Sequence, residues 1–455
     1  MSALPSIHRL KPAVLALAGL LAVAIAPFAE AQSVAQLYTT ARSYDATYLA
    51  ARALAESAEF KAAQAHALRR PSLGLTAGYA RTHNETPASD TRSNGPNVSV
   101  NGRQPLFNAG NDATIAQADR ALEIARADLD LAEQELIVRV AQTYFDVLAA
   151  QDALATARAG KSAISEQLAS AKRNFEVGTA TITDTREAQA RFDLTTAQEI
   201  AAENDLRVKR LALDQLVGGS NIEPRPLAAP VALPAVLPAN VEAWVSQTDT
   251  APNVRRAALG YEIARLETDK ARAGHLPTLD LEGGYGRGRT STSVEQVSPL
   301  TGRPTTSDIS GNTYQSSIGL TLKVPLFAGF SVQNRVKETL KLEEQSRNTL
   351  DAAKRTVAQA TRAAFYGVQS GQAQVKAFEA AESSSQLALE ATQLGYKVGV
   401  RVNLDVLNAQ TQLFTTRRDL ARARYDVLVN SLRLRQAAGQ LKPDDINSLN
   451  QLLAP

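Results

Sequence analysis

Two helix-breaking stretches, placed a fixed distance apart, constrain this chain more than any other feature. The first runs Asn174-Phe175-Glu176-Val177-Gly178-Thr179-Ala180-Thr181-Ile182-Thr183-Asp184. The second runs Gly395-Tyr396-Lys397-Val398-Gly399-Val400-Arg401-Val402-Asn403-Leu404-Asp405 and continues to Gln410. In each, an aromatic residue closes a long helical run, Val-Gly follows, and an aspartate opens the next run. Glycine suits the left-handed turn that ends a helix, and a carboxylate suits the positive end of the next one. Tyr396 follows Phe175 by 221 positions, and Asp405 follows Asp184 by the same 221. Each stretch therefore reads as the tip of a helical hairpin, and the chain as one unit duplicated rather than a string of unrelated domains.

The same order of elements appears twice. Residues 34–69 read as a helix interrupted near Asp45. From Pro71 the period changes to two: Leu73, Leu75, Ala77 and Tyr79 alternate with Ser72, Gly74, Thr76 and Gly78. Alternation resumes near Val98, which predicts strands over 71–82 and 97–106 joined by a long polar loop. Pro105-Leu106-Phe107-Asn108-Ala109-Gly110 then turns the chain into a helix with an apolar stripe at Ile115, Ala118, Leu122, Ala125, Leu129, Ala132 and Leu136. A continuous helix from there to Phe175 reaches on the order of 100 Å at about 1.5 Å per residue. A returning helix is expected from Asp184 to Leu216, ended by Val217-Gly218-Gly219. A proline-rich connector over 219–240 leads to the second copy: a helix over 241–273, strands over 277–289 and 315–324, and Pro325-Leu326-Phe327-Ala328-Gly329 as the echo of the first junction. The expected divisions are 1–31, 32–218, 219–240, 241–439 and a tail over 440–455.

At the N-terminus His8, Arg9 and Lys11 precede an apolar run over 13–25, and Ala29-Glu30-Ala31 offers a small-x-small cleavage pattern. This is expected to be a secretory signal over 1–31, leaving a chain that begins at Gln32. The sequence has no cysteine, which excludes disulfides, thiolate chemistry and an acylated cysteine anchor. A net charge of +3, with Lys and Arg scattered along helices, gives no footprint for nucleic acid. His66, His83 and His275 lack ligand spacing, so neither a metal nor another cofactor is expected. Gly283-Gly284-Tyr285-Gly286-Arg287-Gly288 lies in a strand pattern without a phosphate-loop lysine, and reads as small residues in a sheet. Nothing assembles a catalytic set, and the chain is not expected to be an enzyme.

Four alternating strands in an exported chain point to a membrane barrel, because lipid accepts only backbone whose polar groups are all paired internally. Four strands cannot close on themselves. Eight close around their own side chains, and twelve leave a lumen. The expectation is a homotrimer sharing one barrel, with a soluble sheet packed on helices as the alternative.

The Pro-Leu-Phe and Ala-Gly junctions, the two Val-Gly tips and the run from Tyr396 to Gln410 resemble the TolC-like outer-membrane efflux proteins, over about 420 residues. The resemblance implies a mainly α fold with a membrane β-barrel. A twelve-stranded barrel, four strands per chain, would continue as a twelve-helix α-barrel across the periplasm of a Gram-negative cell. A mixed equatorial region would hold the connector and the tail after Gly439. The missing acylation cysteine is similar to the type I secretion, TolC-type branch. Implied partners are outer-membrane lipid, a periplasmic adaptor and an inner-membrane ABC or RND pump, the duct itself being passive. By residue-wise match, Thr183 and Asp184 would accept bonds from Tyr396 and Arg401 as a periplasmic gate. Asp405 would match the family's constriction aspartate, and Asn408 stands where a second aspartate is expected, which weakens cation preference. Bland roles compete at each position: Asp184 as a helix cap, Tyr396 as packing, Arg401 as a solvated turn charge. A periplasmic adaptor and a coiled-coil scaffold of an export complex are the other readings, though an adaptor carries a single hairpin. The cargo is left open.

Overall fold

A computed structural model describes residues 32–454 apart from 229, 232 and 299–301, so the expected signal segment lies outside the described residues. The chain order is α1 (Val34–Tyr44), α2 (Ala46–His66), a 3-10 turn (Ala67–Arg69), β1 (Ser72–Thr86), β2 (Ser89–Phe107), α3 (Ala109–Glu176) and α4 (Ile182–Val217). The second copy follows as α5 (Val241–Val245), α6 (Pro252–Ala273), β3 (Thr278–Val297), β4 (Pro304–Lys323), α7 (Ser331–Lys397) and α8 (Asn403–Ala437), with α9 (Asp444–Asn450) in the tail.

The break at Asp45 has a local cause. Its carboxylate accepts from the Tyr48 backbone N–H at 2.8 Å and caps α2, and Arg139 reaches the same oxygen at 2.7 Å. The single helix expected over 241–273 is corrected. Pro252 has no N–H and cannot sit inside a helix, so the segment divides into α5, a 3-10 turn over 248–250 and α6, with Pro252 in the first turn of α6.

Helices α3 and α7 run 68 and 67 residues without a break. Gly160 does not interrupt α3. A Cβ there would sit 3.3 Å from the Phe414 ring of α8, so the glycine lets two helices approach closely. The shorter helices cover these long ones by halves. On the strand side α2 and α6 flank α3 and α7, as in the His66–Asp119, Gln117–Glu267 and Arg335–Glu267 contacts. On the far side α4 and α8 replace them, as in Lys161–Glu199 and Arg424–Glu379. Four helices therefore lie side by side at either level.

The largest apolar cluster sits midway, where the two levels meet. Leu37 and Ala41 of α1, Ile137, Val140 and Tyr144 of α3, Leu213 of α4, Leu428 and Leu432 of α8, and Leu441, Ile446 and Leu449 of the tail are all buried in it. The Phe145 ring stacks on Tyr425 at 5.7 Å. The connector forms two short backbone bridges, Leu227 with Leu453 of the tail and Pro224 with Gln32 just before α1. Within this region the Tyr425 hydroxyl donates to Asp152 at 2.7 Å. Burial pushes the Asp152 carboxyl up, and the tyrosine bond offsets part of that.

The four strands form one antiparallel sheet in the order β1-β2-β3-β4. Rows across it separate the faces cleanly. Leu73, Gly102, Gly283 and Ile318 share a row, as do Leu75, Val100, Tyr285 and Ser316. The next row along, Gly74, Asn101, Gly284 and Ser317, belongs to the polar face. A Cβ on Gly284 would stand 2.8 Å from the Asn101 amide oxygen, which is why the glycine run sits in a strand. The long polar loops expected within the hairpins are corrected: pairing continues to Thr86–Ser89 and to Val297–Pro304. Backbone hydrogen bonds need no apolar alternation, so polar ends of a hairpin can stay paired where the period-two signal fades. Among the described residues no helix is long and apolar enough to cross a membrane.

Candidate functional site

The hairpin tips are built by their own backbones. At the end of α3, Gly178 takes a φ of +77°, and the Thr179 N–H turns back onto the Asn174 carbonyl at 2.8 Å. At the end of α7, Gly399 takes +80°, and the Val400 N–H turns onto the Gly395 carbonyl at 2.9 Å. The two turns are copies.

The helix starts that follow are not copies. Thr181 caps α4 and forms a reciprocal box with Asp184. The Asp184 N–H donates to the Thr181 hydroxyl at 3.2 Å, and the Asp184 carboxylate accepts the Thr181 N–H and hydroxyl at 2.9 and 2.7 Å. The equivalent of Thr181 in the second repeat is Val402, which has no capping atom. Asp405 is left to pair instead with Arg401, Nη1 to Oδ2 at 3.6 Å across one helical turn. Within one chain, then, Asp184 does not receive the bonds expected from Tyr396 and Arg401. Thr183 is exposed beside it. Tyr396 is half-buried against Leu389, Val406 and Leu413, and its hydroxyl accepts from the Asn174 amide at 3.2 Å.

Other side chains join the two tips. Asn403, fully buried at the first turn of α8, donates to the Asp184 main-chain carbonyl at 3.3 Å and accepts from Gln167 of α3. Asn408, exposed one turn beyond Asp405, accepts from Arg191 of α4 at 2.8 Å. Beneath them Ile164, Leu168 and Ala171 of α3, Ala188 of α4 and Leu407 of α8 form a small apolar cluster. Gln167, Asn174, Arg191 and Asn403 were not singled out as site residues from sequence. Asn174 and Asn403 lie inside the repeated stretches and could have been; Gln167 and Arg191 carry no local signal. The Arg401–Asp405 pair was legible in its i, i+4 spacing.

This arrangement holds helix ends together with amides, one hydroxyl and one exposed ion pair. It presents no nucleophile beside a base. His66 bonds to Asp119 on the strand side, while His83 faces Asp90 at 3.1 Å in the first hairpin, far from the tips in the chain's order. Among the described residues no three His, Cys, Asp or Glu side chains gather as a metal site.

The profile of the outer membrane efflux protein family matches residues 37–219 and 247–440. Outer membrane protein TolC of Vibrio cholerae is 32% identical over 424 residues, spanning 92% of this chain and 93% of that protein. Alkaline protease secretion protein AprF of Pseudomonas aeruginosa is 33% identical over 322 residues, spanning 69% of this chain and 63% of its own length. The crystal structure of outer membrane protein VceC from Vibrio cholerae superposes with a TM-score of 0.74 at 19% identity, covering 89% of this chain and 96% of that one. At that identity the likeness speaks for the fold.

Proposed function

The chain belongs to the outer membrane efflux protein family, and from that premise we propose that three copies form an exit duct through the outer membrane, gated at the hairpin tips. The observation that carries this is the sheet. Leu73, Leu75, Ile318, Leu320 and Leu322 are 63–83% exposed on one face, and among the described residues no other element covers them. Among the described residues its outer edges, β1 and β4, lack a neighbouring strand. In lipid an open edge leaves every second backbone group unsatisfied, so the edges must meet those of other copies. Three sheets of four strands close at twelve, with the polar face of Thr76, Asn101, Glu282 and Thr321 toward a lumen. Four helices per chain at either level continue that wall as twelve.

Passage through such a duct is passive. A periplasmic adaptor and an inner-membrane pump of the ABC or RND class would recruit it and choose the cargo. Thr183, Asp184, Tyr396 and Arg401 form the gate region, and Asp405 with Asn408 the constriction. Residues 1–31 direct export and are removed. The test is fractionation of cells followed by gel migration with and without heating. The expected result is a slowly migrating trimer in outer-membrane fractions that collapses to monomer on boiling. A monomer in the soluble periplasmic fraction would overturn the reading.

A further inference from the structure

Charge at the tip is distributed in a way that the family resemblance does not supply. Asp405 and Asn408 stand three apart on one stripe of α8, and Arg401 lies two residues before the helix begins, four ahead of Asp405. The one carboxylate of this stripe already faces a cation, Arg401, at 3.6 Å. The amide beyond it holds a second cation, Arg191, at 2.8 Å. Arg191 is placed from behind. Ala188, one turn earlier on α4, is fully buried with Leu407, the neighbour of Asn408, and Phe192 packs on the same cluster. An amide oxygen orients a guanidinium and leaves its charge intact, whereas a carboxylate at the same position would cancel it. Asp193, two residues beyond Arg191 on α4, does not share its face, and it accepts from the Gln189 amide at 2.9 Å on its own side of the helix. Around the stripe therefore stand two guanidiniums, Arg401 and Arg191, for its one carboxylate.

We infer that the constriction at the hairpin tips favours anions, and that Arg191, pinned by Asn408, is the residue that sets this preference. The inference rests on the proposed placing of Asp405 and Asn408 at the narrowest point. Threefold symmetry would bring three copies of the stripe around one axis. The surplus positive charge would then raise the local concentration of anions, from chloride to acidic polypeptide segments, and repel cations.

Purified trimers in a planar bilayer, under a potassium chloride gradient, test this by reversal potential. The wild-type channel should reverse on the anion-selective side. Arg191→Gln should move it to the cation-selective side. Asn408→Asp should move it the same way with Arg191 still in place, and should admit block by a trivalent cation added on the periplasmic side. Arg191→Lys should keep the sign of the wild type. Asp405→Asn should deepen anion selectivity. A cation-selective wild type overturns the inference. So does a reversal potential that Asp405→Asn moves and Arg191→Gln does not, which leaves the constriction standing and removes Arg191 from it. If neither substitution moves the potential, the constriction lies elsewhere and both readings fall.

Discussion

Positions 181 and 402 show how one side chain decides what a neighbouring aspartate does. Thr181 engages the Asp184 carboxylate in a capping box, whereas Val402 leaves Asp405 open to Arg401. The two aspartates match in the repeat and differ in role. Asp184 secures the start of a helix, and Asp405 carries a partly exposed charge. The bonds joining the tips are individually weak. A neutral hydrogen bond such as Asn174–Tyr396 contributes about 0.5–1.5 kcal/mol, and the exposed Arg401–Asp405 pair, which lies within the second tip, about 0–1 kcal/mol to that tip alone. Three copies of the Asn174–Tyr396 bond sum to roughly 1.5–4.5 kcal/mol, enough to bias a closed tip without locking it. Tyr396→Phe combined with Arg401→Ser should raise single-channel conductance several-fold and make cells leaky to large antibiotics. Unchanged conductance in planar bilayers would place the gate on other residues.

The strands illustrate how far a periodic signal reaches. Alternation located all four and sorted the faces of β1, whereas in β2 Gly102 and Gln104 fall in the apolar rows of Leu73 and Leu320. Their ends were not legible, because residues 83–86, 89–96, 290–297 and 304–313 are mostly polar on both faces while the backbone ladder continues through them. A tilted strand needs only about 9–11 residues to cross a membrane, and these run 15–20. The polar ends therefore extend beyond the lipid, where solvent accepts them. Cysteines introduced one at a time at Leu320, Thr321 and Leu322 in β4 should separate the faces. Thr321 should react with a water-soluble maleimide entering the lumen, and the two leucine positions should be shielded. Equal labelling of all three would remove the sheet from the membrane.

Assembly depends on the middle of the molecule. Within one chain most of the α3 stripe is only half-buried, Ile115 and Leu136 excepted, which leaves it open to neighbouring copies in the proposed trimer. The equatorial core is complete within the chain, and the tail is part of it. Leu441, Ile446, Leu449 and Leu453 are each at most 7% exposed, and buried Gln134 donates to the Leu441 carbonyl at 3.2 Å. Each such side chain contributes about 1.5–3 kcal/mol by burial. Truncation after Gly439 should therefore lower the yield of heat-modifiable trimer at least tenfold, measured in outer-membrane fractions. A normal yield would show that the tail is dispensable to the core.

Duplication, helix tips and strand faces could all be read from the residues alone, because each is a local property. Glycine permits a left-handed turn wherever it stands, and period two or period 3.6 sorts a face without knowledge of its neighbour. The contacts that join the tips were of another kind. Gln167 with Asn403, Asn174 with Tyr396 and Arg191 with Asn408 link positions 236, 222 and 217 apart in the chain. No local pattern marks such pairs. They exist because α4 and α8 both pack on the same half of α3 and α8 in turn packs along α7, which brings together side chains whose distance is set by helix packing rather than by spacing in sequence.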